Sequence, residues 1–212
     1  MRATIIANGS VSDPDRARAI AAQAELLICA DGGTQRALEW GLRPDLIVGD
    51  LDSLDAGALQ RLVAEGVAVE RHPTHKDETD LELALDAAVR LGASEIDIVG
   101  AWGGRLDQTI ANVLLLAAPR YAGVPITIHE GADRLFLAQG TVKLRGRPGD
   151  LVSLIPLSAE VTDITTAGLQ YPLRGESLFL GLPRGVSNTM LGEEATIRFG
   201  TGLLLICHRR ET

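Results

Sequence analysis

Short, almost wholly apolar runs alternate with longer segments of helical periodicity through the first part of the chain, the pattern of a parallel sheet with crossover helices. Strands are predicted at residues 3–7, 26–30, 46–48, 67–70 and 96–99, with helices at 13–24, 34–40, 55–65, 79–91 and 107–118. The run 26–30 has no polar residue, as suits a strand buried on both faces. In the helix from residue 79, Thr79-Asp80-Leu81-Glu82 fits an S/T-x-x-E capping box, and Leu81, Leu85, Ala88 and Val89 share one face. After Pro125 the texture changes to short runs rich in Val, Ile, Thr and Leu between Gly and Pro, at 126–129, 151–155, 195–199 and 203–207. Their spacing predicts an antiparallel sandwich or open barrel. The expectation is an α/β fold: an N-terminal open, mainly parallel α/β sheet domain over residues 1–122, and an antiparallel β domain over residues 126–212.

The 212 residues are 46% hydrophobic and 23% charged, enough to bury a core without disulfides or a structural metal. Lys and Arg total 20 against 28 for Asp and Glu, a net charge of −8, which argues against a general nucleic-acid binder. Cys29 and Cys207 each sit in an apolar run, where buried free thiols are expected; two such thiols suit a reducing compartment. The apolar stretch after Met1 is too short for a signal-peptide core, and no run approaches the roughly 18 apolar residues of a membrane span, so a cytoplasmic protein with no membrane partner is expected.

The polar residues carry the chemical signal through their positions. Asp31-Gly32-Gly33 follows the second strand, Gly49-Asp50-Leu51-Asp52-Ser53 the third, and Gly103-Gly104-Arg105-Leu106-Asp107-Gln108 lies shortly after the fifth. The run His75-Lys76-Asp77-Glu78-Thr79-Asp80 falls between the fourth strand and its helix. Ligands of open α/β sheets bind outside the carboxyl ends of the strands, so these clusters converge on one rim. Asp50 and Asp52 can aim two carboxylates at one hard cation, and Asp80 can supply a third oxygen, a donor set suited to Mg²⁺. The plainer reading makes Asp50 and Asp52 turn and cap residues and the acids at 77–82 complements to a helix dipole. Gly32, Gly33 and Gly104 belong to glycine pairs that can approach phosphate oxygens or simply form tight turns. Arg105 can fork onto a phosphate or form a surface ion pair, and Asp107, Gln108 and Asn112 can present a polar wall. Trp102, on the rim, could stack on a ligand ring. No histidine has a zinc-ligand partner at the right spacing. The residues thus point to a Mg²⁺-dependent enzyme acting on a polyphosphate nucleotide, with the acceptor open.

The ordered set Ala30-Asp31-Gly32-Gly33, 44–53 (PDLIVGDLDS), 77–82 (DETDLE) and 103–108 (GGRLDQ) resembles the thiamine pyrophosphokinase (thiamine diphosphokinase) family. The resemblance continues through 153–157 (SLIPL), 165–169 (TTAGL) and Gly185-Val186-Ser187-Asn188. It implies transfer of the β,γ-pyrophosphoryl group of ATP to the hydroxyl of thiamine, an α/β catalytic domain followed by a β-sandwich, and a homodimer with thiamine between subunits. Carried over, Asp50, Asp52 and Asp80 would hold Mg²⁺, while Asp31, Gly32, Gly33, Thr79, Gly104, Arg105, Asp107 and Gln108 would line the ATP and thiamine site, with Asp107 the candidate proton acceptor. Ser187 and Asn188 would reach thiamine across the subunit boundary. Two departures stand out: Gln108 occupies a position where many bacterial members have His, and Thr189-Met190 replaces an acidic-aromatic pair.

Two other readings compete. Asp50-Leu51-Asp52-Ser53 superficially resembles the Asp-x-Asp motif of haloacid-dehalogenase-like phosphatases, although that family places it after the first strand. A non-catalytic nucleotide- or thiamine-sensing module would bind without turnover.

Overall fold

The computed structural model of the chain describes residues 1–52 and 54–211, so Ser53 of the aspartate loop lies outside the described residues. The chain divides into two compact units, Met1–Gly131 and Ala132–Thr212.

The first unit runs β1 (Arg2–Ile6), α1 (Pro14–Ala21), β2 (Leu26–Ala30), α2 (Gly33–Glu39), β3 (Leu46–Gly49), α3 (Ala56–Ala64), β4 (Ala68–Arg71), α4 (Asp80–Arg90), β5 (Glu95–Val99), α5 (Leu106–Leu115) and β6 (Ile126–Glu130). Its strands lie in the order β6-β5-β1-β2-β3-β4, every neighbouring pair parallel. Residues 126–130 were expected to open the second domain, but β6 pairs in parallel with β5, Ile128 opposite Ile98, and so completes the first sheet. A run of five residues with two alternating isoleucines does not reveal which sheet it will join. That difference moves the boundary from 121–125 to Gly131.

Helix starts follow their caps. The side chains of Asp13, Asp55 and Thr79 accept from the backbone N–H of Arg16, Ala58 and Glu82 at 3.0, 2.9 and 3.2 Å. The capping box at Thr79 is half closed, because the Glu82 carboxylate pairs with Arg120. Ile6, Cys29 and Val99 pack with Ala17 and Ala21 of α1 and Ala37 of α2 on one side of the sheet. Asp97 in β5 is only 3% exposed and is held by Arg2 Nε at 2.7 Å and His129 Nε2 at 2.6 Å, so one carboxylate ties β1, β5 and β6. Burial pushes its pKa up, yet the His129 and Arg2 contacts outweigh burial and leave it below the ordinary value.

The second unit comprises β7 (Asp133–Leu137), β8 (Val142–Arg145), β9 (Leu151–Pro156), β10 (Glu160–Ala167), β11 (Arg174–Phe179), β12 (Asn188–Thr189), β13 (Glu194–Arg198) and β14 (Leu204–Arg209). These form two antiparallel sheets, β12-β9-β14-β7 and β11-β10-β13-β8. Strict alternation in β9 turns Val152 and Leu154 inward, where they join Leu204 and Ile206 of β14 and Val161, Ile164 and Ile197 of the facing sheet. Met190 is buried in the same cluster. Cys29 and Cys207 are free thiols; Cys29 is buried, whereas Cys207 is only half-buried. Among the described residues no helix is long and apolar enough to cross a membrane.

Candidate active site

The strand order reverses between β1 and β5, and the loops leaving their carboxyl ends border a cavity of about 480 Å³. Its wall includes Asn8, Gly9 and Ser10 after β1; Ala30 and Asp31 at the end of β2; Arg36 of α2; Thr79 and Asp80 at the start of α4; and Gly103, Gly104, Arg105, Gln108 and Asn112 around the start of α5. The loops after β1 and β5 are laced together, Gly9 N–H to Gly100 C=O and Ser10 N–H to Trp102 C=O, both at 2.6 Å. Asn112 donates to the Ala101 carbonyl at 2.8 Å, so α5 holds the same rim.

Beside the cavity, Asp31, Asp50 and Asp52 bring carboxylate oxygens within 4.8 Å of one another. Two local features produce this. Leu51 has φ +65 and buries its side chain against Ile47, Leu62 and Val67, which leaves its two acidic neighbours projecting from an anchored turn. At Gly49, φ +149, an added Cβ would stand 3.0 Å from the Asp31 Cβ, so glycine there eases the close approach of the ends of β2 and β3. The Asp52 backbone N–H donates to Asp50 at 3.2 Å and, with the Thr74 hydroxyl and the Lys76 charge, holds the Asp50 carboxyl below its ordinary range. The negative charge of Asp50 in turn pushes Asp52 up, and Asp31 and Asp80 add to that push. Like charges gathered this closely, with only oxygen donors, fit a hard divalent cation.

Asp80, expected beside Asp50 and Asp52, lines the cavity and its charge reaches Asp52, while its Oδ1 is 2.8 Å from Lys76 Nζ; the carboxylate gathered directly with Asp50 and Asp52 is that of Asp31. Gly32 and Gly33 are buried and absent from the cavity wall; a Cβ at Gly33 would stand 2.0 Å from the Ile6 carbonyl oxygen and one at Gly32 would meet the Asn8 side chain. Gly33 thereby lets α2 pack closely on β1, and Gly32 leaves room for the Asn8 side chain. Arg105 and Gln108 line the cavity, whereas Asp107 does not; its carboxylate is held by Arg105 Nε and Nη2 at 3.2 and 2.5 Å and thereby kept below the ordinary range. Asp107 thus stands as the ion-pair partner of Arg105, both side chains exposed. Thr79 serves as cap and wall together.

Sequence reasoning passed over Asn8, Ser10 and Arg36. The rule applied to the other strand ends would have found the first two, since Asn8-Gly9-Ser10 directly follows β1. Arg36 sits mid-helix and carried no signal.

In the second unit, Asn188 is 7% exposed and lines a separate cavity of about 280 Å³ with Leu154, Tyr171, Pro172, Leu173, Arg184 and Val186. Ser187 is exposed at φ +60, its N–H bonded to the Ser153 hydroxyl at 3.0 Å, and lies outside that wall.

Residues 17–128 match the thiamin pyrophosphokinase catalytic-domain family, and residues 141–204 match the thiamin pyrophosphokinase vitamin B1 binding-domain family. The chain is 31% identical over 191 residues to the thiamine pyrophosphokinase of Bacillus subtilis, covering 85% of this chain and 86% of that protein. Its fold matches the crystal structure of thiamine pyrophosphokinase from Bacillus subtilis with a TM-score of 0.87 at 26% identity, covering the whole of both chains. It matches that from Geobacillus thermodenitrificans with a TM-score of 0.84 at 31% identity, covering 100% of this chain and 99% of the other.

Proposed function

The chain belongs to the thiamine pyrophosphokinase family, and on that basis we propose that the Asp31–Asp50–Asp52 group and its adjoining cavity carry pyrophosphoryl transfer from ATP to thiamine. The hydroxyl oxygen of thiamine bonds to the β-phosphorus, the bond from that phosphorus to the oxygen bridging to the α-phosphate breaks, and AMP leaves. The hydroxyl proton is released, giving thiamine diphosphate.

The observation that carries this reading is that Asp31 belongs both to the carboxylate group and to the cavity wall, which supports a cation site adjoining a nucleotide space. Asp31, Asp50 and Asp52 would hold Mg²⁺, which when bound neutralises charge on the polyphosphate. Arg105, fixed by Asp107, presents its guanidinium at the cavity mouth, where charge develops on the transferring group. Gly104, Thr79 and Gln108 shape the remaining wall. Because such transfer reactions rest on positioning and charge stabilisation, the absence of a strong base at Asp107 is no obstacle.

The second unit would receive the rings of thiamine at the Tyr171–Asn188 cavity, with Ser187 beside it. A homodimer belongs to the same reading. Supporting it, α5 carries an exposed apolar stripe of Leu106, Ile110 and Leu114, at 73%, 52% and 52%, in the helix that also bears Gln108. The function is tested by incubating the protein with thiamine, ATP and Mg²⁺ and separating thiamine diphosphate by chromatography: product should form only when all three are present.

A further inference from the structure

Arg36, on α2, enters the wall of the 480 Å³ cavity from beneath the β1 and β5 loops. Its Nη1 donates to the Ala7 carbonyl at 2.8 Å and stands 2.8 Å from where a Gly100 Cβ would be, so the guanidinium lies across both strand ends at the point where the strand order reverses. Among the described residues it forms no ion pair, in contrast to Arg105, whose fork is occupied by Asp107. A half-buried guanidinium that spends one donor on a carbonyl keeps its charge and its other N–H groups for something else. The wall also holds the acids Asp31 and Asp80, and the Asp80 carboxylate is 2.8 Å from Lys76 Nζ. Holding the loops together would need only a neutral donor; a permanent cation at that place calls for an anion.

We propose that Arg36 is a phosphate-binding residue of this cavity, donating its remaining guanidinium N–H groups to a phosphate oxygen of the nucleotide. This rests on the cavity being the nucleotide site, as proposed above. With the carboxylates on one side and Arg36 on another, the polyphosphate lies between its cation site and a fixed positive charge. Because the contact is to phosphate, Arg36 contributes to binding of any nucleotide that carries the same group and contributes nothing to thiamine.

The test compares wild type with Arg36→Lys and Arg36→Gln. Binding of α,β-methylene-ATP with Mg²⁺ is measured by calorimetry, and KM for ATP and for thiamine is measured in turnover. The expected result is at least tenfold weaker nucleotide binding in Arg36→Gln, a smaller loss in Arg36→Lys, and an unchanged KM for thiamine. Equal nucleotide affinity in all three proteins overturns the proposal, and so does a parallel rise of both KM values with a falling melting temperature, which marks a purely structural role. If Arg36→Gln does not fold, Arg36→Lys decides: weakened nucleotide binding at unchanged thiamine KM supports the proposal, and unchanged binding overturns it. Failure of both variants to fold also overturns it, since the residue's work would then be to hold the loops. Wild type that binds the nucleotide analogue but makes no thiamine diphosphate would refute the proposed function while leaving the Arg36 comparison intact.

Discussion

The carboxamide of Asn188 satisfies both backbone polar groups of Tyr171, accepting from its N–H at 3.0 Å and donating to its carbonyl at 2.7 Å, and it also accepts from Thr189 N–H at 2.9 Å. It therefore fixes the chain that presents the Tyr171 ring, 64% exposed, at the mouth of the second unit's cavity. Asn188→Ala strands these groups, and a loss of about 2–4 kcal/mol of stability is expected from leaving them unpaired. Denaturant unfolding measures that loss, and kinetics should show KM for thiamine rising with KM for ATP unchanged. Asn188→Asp restores the acceptor but sets a carboxylate against the Tyr171 carbonyl, so it should not rescue. Full activity in Asn188→Ala would remove this residue from the account of the thiamine site.

Asp50→Asn should cost activity on the order of 100-fold or more, a barrier increase of roughly 3 kcal/mol, because it removes a ligand from the proposed cation site. Stability should change little, since the substitution relieves the repulsion on Asp52 but also removes the charge favoured by the Asp52 N–H, Thr74 and Lys76. In wild type Mg²⁺ should raise the melting temperature, and that rise should vanish in the variant. Near-normal turnover of Asp50→Asn at saturating Mg²⁺ would take Asp50 out of the metal site.

The rim of the site was legible because each polar cluster follows an apolar strand, and strand ends are where parallel sheets place ligands. Asp50 and Asp52 could be read from spacing alone, because two carboxylates separated by one residue in a turn after a strand lie close whatever the rest of the chain does. What depended on tertiary approach was not legible. The sequence offered Asp80 as the third carboxylate and Asp31 only as a substrate-site residue; that Asp31 gathers with Asp50 and Asp52 depends on the close approach of β2 and β3 at Gly49. Gly32-Gly33 gives no sign in sequence of the close approach of Gly33 to the Ile6 carbonyl. The strand at 126–130 was recognised, but its parallel partner was not, because Ile128 and Ile98 carry no mark of their pairing.

Acid sensitivity should arise in the second unit. His208 is fully buried, accepts at Nδ1 from Arg134 Nε and Nη2 at 3.0 and 2.8 Å, and so faces Asp150 through Nε2–H at 3.1 Å as a neutral ring. Burial, then the charges of Arg134 and Arg210, hold its pKa below the ordinary 6.5, against the pull of Asp150. The unfolded chain therefore takes up a proton that the folded chain refuses, and stability falls as the pH drops below about 6.5. Asp150 and Asp97, both held below 3.8, add a second loss in more acidic solution. Urea midpoints at pH 7.5 and 5.5 should differ more in wild type than in His208→Gln. An equal difference would show that His208 does not set this sensitivity.

The apolar stripe of α5 should be covered in solution by a second copy of the chain. The double substitution Leu106→Asp and Ile110→Asp is expected to convert a dimer to monomer in sedimentation, without unfolding it, because both side chains are exposed within the single chain. A wild type that sediments as a monomer at all concentrations would contradict this.

The central claim concerns which phosphorus is attacked, and the nucleotide product reports it. With thiamine, ATP and Mg²⁺, AMP and thiamine diphosphate should appear in equal amounts, and neither should form when thiamine is omitted. ADP with thiamine monophosphate, or phosphate released without thiamine, would contradict it.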